Sequence, residues 1–379
     1  MEWKTVKLGD ILKITGGQLY KGDLLGTGDN LLLGMGCVSF MEKFLMKGAR
    51  QYGGDCLDKN IGRPGDIVLA TRQQSDNLPI LAMPAIIPEG LPAKKIIIGS
   101  NLYKVNVIDS DFDNRFIYWL LKTPEYVNYI SSVKTGTTVK MITIKDVESY
   151  TFLCPPKEIR DKISKLLWDL DDKIENNNHI NRNLEAQAQA LFKSWFVDFE
   201  PFGGTMPEDW KNGVLGEICK IKYGKGLSTN LLTDEGYPVF GGNGVIGYYS
   251  KFLYELPQIL VSCRGAASGK IMESDPHSFV TSNSLVLEMN DRAYYYYLKY
   301  LLLANPLYNY ATGSAQPQIT IDNIKDVDIV LPSIDIVNTI SEKFEVIDEQ
   351  IRSLRLESQR LATLRDTLLP KLMKGEIAL

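Results

Sequence analysis

The sequence predicts an α+β chain built as a tandem repeat, in which two mainly β globular domains alternate with two long helices. Three observations carry this expectation. "TGTTVKMITIKDVESYTFLCPP" from Thr135 aligns without a gap on "TGSAQPQITIDNIKDVDIVLPS" from Thr312, at an offset of 177. The segments before each Thr-Gly are rich in Gly, Pro, Tyr and β-branched residues, in short apolar runs. The segments after each Pro-x-x repeat apolar residues at steps of three and four.

The first globular domain is expected over 1–155. It opens with "WKTVKLGDILKI" from Trp3 and contains the buried-strand runs "DIVLA" and "KKIIIGSNLYKVNVI". An aromatic stretch, "RFIYWLLKTPEYVNYISS", reads as helix. The first long helix is expected over 156–200. Its apolar positions are Ile159, Ile163, Leu166, Leu170, Ile174, Leu184, Ala188, Leu191 and Trp195. The second globular domain, 201–332, opens with the related "WKNGVLGEICKI" from Trp210, at offset 207. "PQILVSCR" from Pro257 resembles "GDIVLATR" from Gly65, at offset 192. The falling offset means that the first copy carries extra loop residues while the order of parts is kept. The last helix is expected over 333–379, with Ile336, Ile340, Phe344, Ile347, Ile351, Leu354, Leu361, Leu364, Leu368 and Leu372 on one face. About 40 residues make a rod of about 60 Å at 1.5 Å per residue. Asn181 and Ser358 are equivalent and fall on the apolar seam, where a polar residue fixes register at some cost in stability.

Composition narrows the function classes. The 379 residues favour two domains, and no apolar run reaches the roughly 20 residues of a membrane span. The five cysteines form no C-x-x-C pair, and there are two histidines. A disulfide framework, a zinc site or histidine catalysis is therefore not expected, and a reducing cytoplasm fits best. The net charge of −4 argues against a broad basic surface. Residues 1–154 carry 18 basic and 16 acidic side chains, and residues 201–332 carry 10 and 13, so neither half is an electrostatic clamp.

Three motifs are misleading. "GGNGVIGYY" contains G-x-G-x-x-G at Gly242, Gly244 and Gly247, but the dinucleotide fingerprint needs a following helix to hold pyrophosphate, and "YYSKFLYELP" is not one. "GAASGKI" is too short for a P-loop and lacks the Ser/Thr after Lys270. "NPLY" at Asn305 has no partner glycine strand for an adenine methyltransferase. No catalytic residue, metal site or cofactor is expected.

Candidate binding residues cluster in three kinds of polar loop. Arg72, Gln73 and Gln74 follow the first buried strand, and Arg264, Ser268 and Lys270 follow its repeat. Arg and Gln pair with guanine and adenine edges in the major groove, and small residues let a backbone come near phosphate. Thr137, Thr138 and Lys140 lie in the first Thr-Gly loop and Ser314, Gln316 and Gln318 in the second, each in a loop expected to lead into a strand. Asn243 and Tyr248 belong to a polar, aromatic loop. Each loop taken alone could be ordinary turn chemistry. Recurrence of the arginine in both copies favours binding.

With "ALFKSWFVDFEPF" (190–202) closing the first helix and "LRDTLLPKLMKGEI" (364–377) the second, the whole chain resembles the specificity subunit of type I restriction-modification enzymes. The resemblance implies that each globular part is a target recognition domain for half of a split double-stranded DNA site. It implies that the long helices pair antiparallel as a spacer and dock two modification subunits carrying S-adenosylmethionine chemistry. Restriction subunits join through those, and the chain itself has no catalysis. Two other readings remain open: a coiled-coil scaffold that does not touch DNA, and a stand-alone methyltransferase or nuclease.

Overall fold

In the computed structural model, residues 3–73, 80–313 and 316–377 are described. The chain divides into two compact units, 1–176 with 357–379, and 177–356. Both contain strands, and both take part of each long helix, Lys157–Phe196 and Ile334–Met373.

The first unit is organised around the strand Ile67–Ala70, all four residues of which are buried. Successive side chains of a strand point to opposite faces. Ile67 and Leu69 therefore enter a core with the aromatic helix and the long helices, while Val68 and Ala70 enter a second core with Leu33, Ile98 and Met83. This two-sided burial explains an apolar run without alternation. The strand lies in an antiparallel sheet with Leu12–Gly16, Leu102–Val107 and Pro84–Ile86. A second sheet joins Ala49–Tyr52, Leu25–Leu33, Ile96–Ile98 and Ile61–Gly62.

The aromatic stretch breaks into two helices, Asn114–Leu120 and Pro124–Val133. Thr123 caps the second through its hydroxyl, and Pro124 occupies the first turn, where its missing N–H costs nothing.

The second unit repeats this plan. Ile259–Ser262 is its buried central strand, with Ile259 and Val261 in one core and Leu260 in another. Its sheet partners are Cys219–Tyr223, Ser284–Met289 and Ile271–Glu273. The opening segments match element for element. Lys4–Lys7, Leu8–Ile11 and Leu12–Gly16 form strand, short helix and strand, as do Lys211–Val214, Leu215–Ile218 and Cys219–Tyr223. Gly242, Gly244 and Gly247 lie in an antiparallel hairpin, not in front of a helix.

Within each unit the long helices run antiparallel. In the first, Lys173 pairs with Glu357 and Asp171 with Arg365; in the second, Glu185 pairs with Arg355. The buried face differs in detail from the apolar stripe of the sequence. Ile163, Ile340, Ile351 and Leu372 are fully buried, whereas Leu170, Ile174, Leu184, Leu191, Trp195, Ile347, Leu361 and Leu368 are half-buried. Leu167, Phe192, Phe196, Val337, Phe344 and Leu369 are buried beside them. The buried face changes because its partners change: Ile163 and Leu167 share a core with the helix Asn114–Leu120, and Phe192 and Phe196 share one with Val337 and Phe344 of the other long helix. Leu364, expected inside, is 47% exposed.

Candidate nucleic-acid interface

The expectation that the Thr-Gly loops lead into strands is corrected. Each "Ile-Thr-Ile" opens a short helix, Ile144–Glu148 and Ile321–Ile324. The cause is local capping chemistry. The Asp146 amide donates to the Thr143 hydroxyl at 3.2 Å, and the Thr143 amide donates to the Asp146 carboxylate at 3.0 Å. In the second copy the Thr320 amide donates to Asn323 Oδ1 at 2.8 Å. A Thr followed three residues later by Asp or Asn is a helix-start signature. Ile142 and Ile319 fall just before it and are buried, anchoring the loops.

Upstream of that anchor both loops close in the same way. Thr135 bridges Met141, and Thr312 bridges Gln318. The glycine after each threonine has a positive φ, +94° at Gly136 and +93° at Gly313. That left-handed conformation suits glycine, and a Cβ on Gly136 would run into the Val139 carbonyl oxygen.

Each Thr-Gly loop is then paired to its arginine loop. In the first unit Arg72–Gln73 forms a two-residue antiparallel ladder with Lys140–Met141, placing Arg72 opposite Met141. In the second unit Arg264 bridges Gln318, the equivalent residue. Gly265 N and Ser268 Oγ both donate to the Pro317 carbonyl, at 2.9 and 2.8 Å. A third loop joins there, since Lys270 Nζ donates to Asn243 Oδ1 at 2.6 Å. Segments far apart in sequence thus form one surface in each unit.

The placement sorts the candidates. Arg72, Thr137, Thr138, Asn243, Arg264, Gln316 and Gln318 are exposed on these loops. Lys140 is half-buried and donates to the Gly136 carbonyl at 3.1 Å. Lys270 is half-buried as well. Gln73 and Ser268 correct the expectation. Gln73 is 5% exposed, and its Oε1 accepts from the Leu81 amide. Ser268 is 3% exposed and spends its hydroxyl on Pro317. Both hold their loops from beneath and have no surface to offer a ligand. Tyr248 is exposed but sits along the hairpin, its backbone paired with Thr233 and Pro238, away from the Asn243 turn. Gln74 and Ser314 lie outside the described residues.

Charge adds to this picture. Some lysines of the two units are neutralised locally, as in Lys104–Asp66, Lys222–Glu288 and Lys325–Asp322. Among the described residues, Arg72, Lys140, Arg264 and Lys270 face no carboxylate partner. An unpaired cation beside exposed amides and hydroxyls can meet phosphate oxygens and base edges.

The helix residues expected to dock partners also need correction. Ile163, Ile340, Ile351 and Leu372 are spent in the cores and are closed to another chain. Exposed apolar side chains on the long helices are instead Val346, Leu356, Leu364 and Ile334. Sequence reasoning also missed a buried ionic site in each unit. Asp171 pairs with Arg365 in the first, and Asp348 with Lys299 in the second. The signal was present, because Asp171 and Asp348 are matched by the repeat, and so are Lys122 and Lys299.

Comparison with known proteins agrees with this architecture. The chain matches the type I restriction modification DNA specificity domain over residues 1–186 and again over 207–364. It is 26% identical over 310 residues to the specificity subunit of the type I restriction enzyme MjaIX of Methanocaldococcus jannaschii, covering 72% of this chain and 71% of that protein. It is 26% identical over 358 residues to the HindI specificity subunit of Haemophilus influenzae, covering 69% and 77%. The fold is similar to that of the crystallised S subunit of a type I restriction-modification system from M. genitalium, with a TM-score of 0.60 and 19% identity over 98% of this chain and 96% of that one. With two matched domains spanning most of its length, the chain belongs to the type I restriction-modification DNA specificity family.

Proposed function

We propose that the chain is the specificity subunit of a cytoplasmic type I restriction-modification complex and reads a bipartite double-stranded DNA site, one half-site per unit. It docks two methyltransferase subunits and, through them, restriction subunits. The long helices serve as the spacer between half-sites. The chain itself transfers no methyl group, cuts no strand and holds no cofactor.

The observation that carries this reading is the recurrence of one surface in both copies. Arg72 opposite Met141 and Arg264 opposite Gln318 are the same paired loops, each with unpaired cations. Two related readers suit a split target, because dimer-like symmetry in a protein is mirrored in its site. The mildly acidic balance of the chain fits a complex in which partners hold much of the phosphate backbone.

The test is methylation of a random-sequence DNA library by the purified chain, alone and with its methyltransferase subunits. The complex is expected to mark one discrete two-part motif, and the chain alone to mark none. Methyl transfer by the chain alone would overturn the non-catalytic role. A complex without a discrete motif would leave a scaffold that reads no DNA. Arg264→Ala is expected to relax only the half-site read by the second unit, by about 1–3 kcal/mol for one lost bidentate contact.

A further inference from the structure

Asn243 occupies the tip of a two-residue hairpin between Tyr237–Gly241 and Gly244–Tyr249, with Gly241 opposite Gly244. The hairpin tip lies low over the end of the central strand. A Cβ on Gly242 would sit 3.3 Å from both Ser262 Oγ and the Asn283 carbonyl. Lys270 is fixed by its backbone, which donates to Ala267 O and accepts from Ser262 N, each at 2.9 Å. From there its ammonium donates to Asn243 Oδ1 at 2.6 Å.

An ammonium only donates. The contact therefore turns the amide oxygen of Asn243 toward Lys270 and leaves its NH₂ group, with two hydrogens, on the exposed side. A free asparagine reads adenine by donating to N7 and accepting from the N6 amino group. Here that amino group, whose hydrogens are positive, would approach an oxygen already beside an ammonium. Cytosine offers the same face only a donor, and thymine offers a single acceptor beside a methyl group. Guanine alone presents two adjacent acceptors, O6 and N7, for two amide hydrogens.

Resting on the DNA-reading role proposed above, we infer that Asn243 reads a guanine in the half-site of the second unit, and that Lys270 sets this choice by holding the amide. Asn243 is the base-contacting residue; Lys270 is a positioning residue.

The experiment is the same library methylation with the reconstituted complex carrying Asn243→Ala or Lys270→Met. Arg264→Ala identifies which half-site belongs to the second unit. Asn243→Ala is expected to relax one G·C position in that half by about tenfold, the discrimination of one good base contact, with the other half unchanged. Lys270→Met is expected to admit A·T at that same position, because the freed amide can then accept from adenine; a merely structural lysine would weaken every position alike. The unchanged half-site also shows that each variant is folded. The inference is overturned if Asn243→Ala leaves the motif intact, or if the relaxed position is an A·T pair in the wild type. If the wild-type complex marks no discrete motif, the underlying DNA-reading role fails instead.

Discussion

Lys122 and Lys299 hold the same position in the two copies, yet their surroundings have diverged. Lys299 is ion-paired to Asp348 and Glu273, and Tyr300 donates to Asp348 at 2.6 Å. Burial raises the Asp348 carboxyl and Lys299 opposes that shift. In the first unit Arg365 has taken the equivalent carboxylate, Asp171, and Lys122 donates to the Tyr118 hydroxyl at 2.9 Å. Burial lowers the Lys122 ammonium to about 8, against a weaker upward pull from Asp171; Arg365 and Lys43 push it down further and Asp366 up. The unfolded chain then binds more protons at this site than the folded one between about pH 8 and the ordinary value of 10.5. Stability from this group therefore rises with pH across that window and is lowest below it. Lys122→Met is expected to gain on the wild type by about 2–3 kcal/mol near neutral pH, and the gap should close as pH rises to 10.5. Denaturant unfolding of both proteins at a series of pH values measures it, and a gap independent of pH would contradict the buried-cation account.

At the scale of elements, the long helices are held in register by charge as well as by apolar packing. Arg365 is 3% exposed and Asp171 5% exposed, on facing helices of the first unit. Repeat alignment puts Ala188 where Arg365 stands, so this pairing belongs to one copy alone. A buried pair contributes little net stability over apolar residues of similar size, but losing one partner strands the other charge. Arg365→Met is thus expected to cost about 3–5 kcal/mol, less whatever Lys122 recovers by moving onto Asp171. The double variant Asp171→Leu/Arg365→Met should be more stable than Arg365→Met alone. Thermal unfolding of the wild type and the two variants reads this directly. Asn181 and Ser358, the register residues suggested by the sequence, are buried, but each has a side-chain oxygen without a hydrogen-bond partner in the protein. The Asp171–Arg365 pair is therefore the stronger specifier of alignment in its unit.

For the whole molecule, the sequence repeat and the folded unit are different divisions of the chain. The core around Trp119, Ile163 and Leu167 is completed by Leu369, Leu372 and Met373 from the far end of the chain. Likewise Val337, Ile340 and Phe344 of the second unit pack with Ala188, Phe192 and Phe196, which end the first helix. Removing residues 357–379 should therefore expose the core of the first unit, although the deletion lies in the second repeat. Hydrogen exchange is expected to lose protection in the strands and aromatic helices of residues 1–176, while the sheet around Ile259–Ser262 stays protected. Equal loss in both sheets would contradict this division.

The sequence by itself determined the duplication, the alternation of β-rich domain and long helix, the buried strands and the arginine that follows each of them. Those are local or periodic signals: an apolar run, a 3.6-residue stripe, a fixed offset between like segments. Tertiary structure alone decided which loops meet. Nothing in the spacing of Arg264, Asn243 and Gln318 announces a common surface, because a β-bridge joins Arg264 to Gln318 and a side-chain hydrogen bond joins Lys270 to Asn243 across 27 residues, and neither leaves a period behind. It also decided that Gln73 and Ser268 turn inward while Arg72 and Arg264 stay out. Neighbours on one loop share composition and exposure in sequence, and only packing beneath the loop assigns each side chain to the protein or to solvent. The carboxylates Asp171 and Asp348 were visible as matched positions, but a charged residue on an apolar stripe gains its meaning from the cation that the fold brings to it.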